Sequence, residues 1–328
     1  MANTLLSLSH FSGVFLLALL ASLIVFNVLA SLLSLELVQK AFNQCQAKLR
    51  LKFLGLLAST PLLIAALSTA AVWVLANKPQ LSNRYLHWHH VPEQFSGHSI
   101  SGFLFGVLLI AFIVIKLRRW QKAQKQFALL CKKDEYNERN EHSPQLETTH
   151  TASPQPLAFS FGLAKDSYYI SPKLKQLLSK EELHIVTSHE QAHCQFRDPA
   201  KLFAFKALIQ LYFYPFRQNL LRLYLLAMEE RADLASQSAG CNRFDIASTL
   251  IKVARLQQLQ SQANAKAIAT CAFSDSFIKA RVEALSTERK TSRWLNVLLF
   301  PMLAIAIMMI LSIDSVHHLS ESALFFVL

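Results

Sequence analysis

Four stretches of the chain stay apolar for long enough to cross a bilayer, which takes roughly 20 helical residues. They run from Phe11 to about Leu35, from Phe53 to Ala76, from about Ser99 to Leu117 and from Trp294 to Ile313. The first two are too long and too uniform for the core helices of a soluble domain. Residues 118–156 form a basic exit followed by the polar run "KKDEYNERNEHSPQLETTHTASPQP", which has no apolar period and reads as an exposed linker. Beyond it, over 157–293, short structured elements return. "LAFSFGL" and "SYYIS" predict two strands joined by the turn "AKD". Ser179 with Glu182 three positions on is a capping box, and it starts a helix to about Phe196. Asp198-Pro199 reads as a break and a fresh helix start, with Asp198 as N-cap. A further helix covers roughly Leu220 to Gln237 and stops at Gly240.

One segment inside this section, "LFAFKALIQLYFYPFRQNLLRLYLLAM", is greasy enough to pass for a fifth span. Lys206, Arg217 and Arg222 would be costly at mid-bilayer, and Pro215 would break a helix there. It reads as a core helix pair lying against the membrane surface.

Charge gives the spans a direction. Lys40, Lys48, Arg50 and Lys52 lie between spans one and two. Lys116, Arg118, Arg119, Lys122 and Lys125 cluster around the exit of span three, and Arg289, Lys290 and Arg293 precede span four. The loop between spans two and three has only Lys78 and Arg84. The positive-inside rule then predicts both termini outside and the section from Arg118 to Arg293 in the cytosol. The net charge of +12 would suit nucleic acid in a soluble protein. Here it follows the loops, and no nucleic-acid-binding pattern accompanies it, so direct nucleic-acid binding is not expected. The five cysteines are scattered without a CxxC pair and are expected as reduced thiols.

The candidate chemistry sits in "VTSHEQAHCQFRDP", residues 186–199. His189 and His193 are four apart on a helix, so both imidazoles project from one face and can share a cation. Glu190 lies one position round, within reach of a water on that cation. This pattern suits zinc-assisted peptide hydrolysis with Glu190 as general base. Catalytic zinc takes three protein ligands and keeps one open position. The residues after His193 carry no Gly-x-x-His extension, so the third ligand is sought on a second helix. "MEERADLA" offers Glu229 as ligand and Asp233, on the same face, as hydrogen-bond partner of a ligating histidine's outer nitrogen. Glu230 is the competing ligand. Tyr168, Tyr169 and Arg231 are alternative oxyanion stabilisers, and "SYYIS" offers an edge along which a substrate backbone can pair.

The order of three spans, "PLAFSFGLAKDSYYISPKL", "HEQAHCQFRDP", "YPFRQNLLRLY", "EERAD" and a fourth span resembles the BlaR/MecR family of membrane metallopeptidases. The resemblance implies a mainly α integral membrane protein of the bacterial cytoplasmic membrane. A cytosolic gluzincin-type α+β domain would lie between the third and fourth of four transmembrane helices. It implies one Zn2+ per chain on His189, His193 and Glu229, with Glu190 as base and Asp233 behind the ligands. The substrate would be a cytosolic protein such as a DNA-binding repressor, and also the chain itself. The sequence departs from the family's pattern after the fourth span, where Asp314 to Leu328 carry no Ser-x-x-Lys motif, so β-lactam sensing through a penicillin-binding domain is not expected of this chain alone. The alternatives are a quality-control protease resembling HtpX, whose family typically places two spans before the motif, and a non-catalytic membrane scaffold. His87, His89, His90 and His98, with His317 and His318, are expected outside, as a metal-sensing cluster or as a plain wet loop.

Overall fold

The computed structural model describes residues 2–76, 156–161, 167–263, 275–287 and 294–311, with seven isolated helical positions between 107 and 122. Most of the third apolar stretch, nearly all of the 118–156 linker, the "AKD" turn and the outer histidines lie outside the described residues.

Helices α1 (Ala2–Leu32) and α3 (Ala47–Ala76) pack side by side. Each has one face turned inward and one outward. On α1 the buried row is Val14, Ala18, Ser22, Phe26 and Ala30, and the exposed row is Leu20, Ile24, Val28 and Leu32. On α3 the exposed apolar residues include Leu56, Leu63 and Leu67. Helices that are apolar all round are either buried or in lipid, and an outward stripe of large aliphatic side chains suits lipid. Among the described residues, Val14–Leu32 and Ala47–Ala71 are long and apolar enough to cross a membrane. A short helix α2 (Glu36–Asn43), unforeseen in the sequence, turns the chain between them. The fourth apolar stretch is a helix over Trp294–Leu311 (α10), packed on α3 with Met302 buried and Phe300, Leu303 and Met308 exposed.

The section between begins with a two-stranded antiparallel sheet, β1 (Ala158–Phe161) and β2 (Ser167–Ile170), in which Phe159 faces Tyr169 across the ladder. Helix α4 (Pro172–Leu177) follows, with Ser171 accepting from the Leu174 amide. Helix α5 (Lys180–Gln195) starts with both halves of the expected capping box, Ser179 to the Glu182 amide and Glu182 to the Ser179 amide. The expected break after it is real, but Asp198 is not the N-cap. Helix α6 (Asp198–Leu208) already includes Asp198, and Arg197 takes the capping position at φ 54°. That left-handed residue turns the chain sharply and frees the Asp198 carboxylate for other partners.

The greasy segment folds as the expected pair of helices. A 3-10 turn (Ile209–Leu211) links α6 to α7 (Tyr214–Ser238), and Pro215 sits in the first turn of α7, where no amide bond is lost. Gly240, at φ 99°, ends α7 in the left-handed conformation that favours glycine. Helices α8 (Arg243–Ala263) and α9 (Asp275–Ser286) pack against α7.

The tip of this pair is pinned to the spans by polar bonds. Pro61 lies inside α3 and has no amide to give the carbonyl of Leu57 four residues earlier. The Tyr212 hydroxyl donates to that carbonyl at 2.5 Å instead. The Phe213 amide donates to Asn27 Oδ1 of α1 at 2.8 Å. The main apolar core is accordingly shared: Phe26, Leu54 and Leu57 of the long helices pack in one cluster with Phe205, Ile209, Leu220, Leu223 and Ala227.

Candidate metal centre

Two elements bring the candidate ligands together. Helix α5 carries His189 and His193 one turn apart, with rings edge to face at a centroid distance of 4.7 Å. Helix α7 packs across α5 and presents Glu229. His189 Nε2 and His193 Nε2 are 3.1 Å apart, Glu229 Oε2 is 3.2 Å from His189 Nε2, and Glu229 Oε1 is 3.7 Å from His193 Nε2. With zinc–nitrogen and zinc–oxygen bonds near 2.0–2.1 Å, the edge of a tetrahedron is about 3.3 Å. Three edges of 3.1, 3.2 and 3.7 Å fit that size, so this trio could hold a metal ion.

Both imidazoles use Nε2 inward because Nδ1 is engaged outward. His189 Nδ1 lies 3.0 Å from Asp233 Oδ1, and His193 Nδ1 lies 2.8 Å from Asp198 Oδ2. A carboxylate behind each ring fixes its tautomer and orientation and raises its basicity. Asp233 occupies the position that its spacing from Glu229 suggested. Asp198 was legible only as a helix cap. Its remaining oxygen pairs with Arg231, whose guanidinium stacks on Phe196 at 4.2 Å. Of the three oxyanion candidates, Arg231 is therefore engaged behind His193. Tyr168 is partly exposed, and its hydroxyl accepts from Gln191 Nε2 at 3.4 Å. Tyr169 packs its ring against Phe159.

Arg281, on α9, had no sequence signal. It is buried, donates from Nε and Nη2 to the two oxygens of Asp233 at 2.9 and 2.7 Å, and places Nη1 3.0 Å from Glu229 Oε2. Burial alone would raise the Glu229 and Asp233 carboxyls, but the Arg281 cation and His189, joined at Glu229 by His193, outweigh it and hold both below the usual carboxylate range. Burial would likewise lower His189. Its bonds to Asp233 and Glu229 prevail and push the imidazole up to about 10 in the metal-free protein. Glu190 is buried, and desolvation raises its carboxyl against the pull of His189 and His193. A carboxylate moved upward in this way is a stronger proton acceptor than an ordinary one.

The competing ligand points elsewhere. Glu230 is 2% exposed and pairs with the fully buried Arg50 of α3. Cys194 is not among the three donors. It lines a cleft of about 380 Å3 with Ser167, Tyr168, Gln191 and Gln195, between β2 and α5.

The donor set and its supporting carboxylates are the parts of a candidate zinc centre. Residues 133–289 match the family model described as Peptidase family M48, whose members are zinc-dependent metallopeptidases. No curated protein and no solved structure gives a match. The family match supports the metallopeptidase part of the BlaR/MecR resemblance and does not extend to the antibiotic-sensor subtype. With two helices able to cross a bilayer, the chain has the features of a membrane metallopeptidase.

Proposed function

We propose that this chain is a membrane-anchored zinc endopeptidase that transmits a signal by cutting a cytosolic protein, such as a DNA-binding repressor, and also itself. The observation that carries the chemistry is the triangle of His189, His193 and Glu229 at tetrahedral spacing, with a buried carboxylate, Glu190, on the same helix turn. Asp233 and Asp198 hold the two imidazoles in the coordinating tautomer. An ion held there supplies a Lewis acid for the scissile carbonyl and acidifies a water. Glu190 takes the proton from the attacking water on its carboxylate and returns it to the leaving amine. The cleft between β2 and α5 is the place for an extended peptide, with the β2 edge available for backbone pairing. The order of spans and motifs in the sequence, and the basic loops flanking the domain, support the cytosolic, signalling side of the reading.

A second reading, clearance of damaged membrane proteins, draws on one observation. Helix α7, which bears Glu229, packs directly on α3, so a substrate drawn from the bilayer would emerge beside the site. The same experiment tests both. Full-length protein and Glu190→Gln are expressed in cells, and newly formed protein N-termini are mapped. General-base loss should lower cleavage by about 10²–10⁴-fold with zinc content unchanged. Wild-type rates in Glu190→Gln would remove Glu190 from the mechanism. Termini arising in a soluble DNA-binding protein favour signalling, whereas termini spread over misfolded membrane proteins favour clearance.

A further inference from the structure

Glu229, Glu230 and Arg231 are consecutive on α7, and successive side chains leave a helix about 100° apart. Each is tied to a different element. Glu229 faces the two imidazoles of α5 and Arg281 of α9. Glu230 pairs with Arg50 of α3, whose Nη1 also donates to Asn43 Oδ1 of α2 at 3.3 Å. Arg231 pairs with Asp198 at the start of α6, which in turn accepts from His193. Between them the three ties surround the helix axis, so a rotation of α7 that turned Glu229 away would also strain the other two. The Arg50–Glu230 tie differs from its neighbours in what lies around it. Arg50 is 0% and Glu230 2% exposed, and Leu51, Phe53 and Leu54 beside Arg50 belong to the apolar core. A bare apolar contact there would bury the same surface with little directional preference. A charge pair fixes the angle, because leaving either partner uncompensated in such surroundings is strongly unfavourable.

We infer that Arg50 is a positioning residue: through Glu230 it holds α7 at the rotation that aims Glu229 at the two histidines, which makes the metal centre dependent on the seating of the membrane helix. This rests on the zinc reading above. A movement of α3 would then reach a candidate metal ligand along a route one residue long.

The test uses full-length protein in detergent micelles, with zinc affinity measured by competition against a chelator and thermal unfolding measured on the zinc-free protein. Arg50→Gln should weaken zinc binding by about tenfold or more, the scale seen when outer partners of a metal site are lost. Arg50→Lys keeps the charge and should recover part of that loss. The apolar pair Arg50→Met with Glu230→Leu separates positioning from packing, since such replacements commonly preserve stability. It should unfold near the wild-type temperature yet still bind zinc about tenfold more weakly. An apolar pair that binds zinc as tightly as wild type overturns the inference, as does Arg50→Gln with unaltered affinity. If the apolar pair does not fold, the comparison of Lys with Gln at position 50 decides: equal affinities in the two would end it. Absence of zinc binding in the wild-type chain is a different failure, and removes the metal reading itself.

Discussion

Glu229 and Glu230 are the same residue type, one peptide bond apart, and they inhabit two different regions of the molecule. On the α5 side of α7, Glu229 meets two imidazoles and the Arg281 guanidinium, in a polar cluster where each ring is backed by a carboxylate. On the α3 side, Glu230 pairs with the buried Arg50 guanidinium, beside aliphatic and aromatic side chains of the core. The difference teaches that identity alone does not mark a ligand. What makes Glu229 the candidate is that two imidazoles and a guanidinium converge on it, with the His189, His193 and Glu229 donor atoms close enough to share an ion. Glu230 has its charge answered by a guanidinium and, among the described residues, belongs to no group of metal-ligating side chains.

Exchanging each glutamate for glutamine should separate the two regions most strongly. Glu229→Gln should reduce zinc affinity by more than the roughly 10–100-fold typical of an outer partner, because an inner ligand is lost. Glu230→Gln removes the Glu230 charge from the buried Arg50 and should cost about 3–5 kcal/mol of stability, read as a fall in unfolding temperature. If Glu230→Gln proves the poorer zinc binder of the two, the ligand assignment is reversed. Next in size, Asp198→Asn removes the carboxylate behind His193 and should weaken zinc binding by about 10–100-fold. Equilibrium dialysis would show this, and unaltered affinity would return Asp198 to a purely structural role.

On the membrane side, Tyr212→Phe leaves the Leu57 carbonyl, already deprived of a helix partner by Pro61, without its donor. That change should cost about 1–3 kcal/mol, with zinc affinity nearly unaffected. The smallest effect concerns one proton. With its pKa raised from 6.5 to about 10 in the metal-free protein, His189 carries a proton at pH 7–9 that zinc must displace. Calorimetry in buffers of different ionisation enthalpy should report that release, and affinity should climb as pH rises toward 10. Because the folded value lies above the unfolded one, the same group stabilises zinc-free protein fully below about pH 6.5, and that contribution falls away as pH rises from there to about 10. Binding without proton release at pH 7.5 would contradict the His189–Asp233–Glu229 network.

Local signals were the legible ones. The capping box of α5, the strand pair, the histidine spacing and the reading of the greasy segment as two helices all depend on residues within a few positions of one another. Long-range partners left no trace. Arg281 looks like any basic residue on an amphipathic helix, and Arg50 reads as an orientation signal at the foot of a span until α7 places Glu230 against it. Asp198 shows how one backbone conformation redirects a side chain. Asp-Pro before a helix normally signals a cap, but Arg197 turns left-handed and moves the helix start, so the carboxylate serves His193 instead.

The shared core under α7 has a practical consequence for anyone wishing to cut the peptidase free. Phe213 and Tyr214 stand 61% and 62% exposed at the bend, and Leu220, Leu223 and Ala227 owe part of their cover to α1 and α3. An excised fragment would carry that whole sticky underside into water and shed the hydroxyl-to-carbonyl and guanidinium ties that orient it. Anchor and enzyme are two halves of one folding unit, and soluble truncations should be judged as damaged proteins, not as minimal ones.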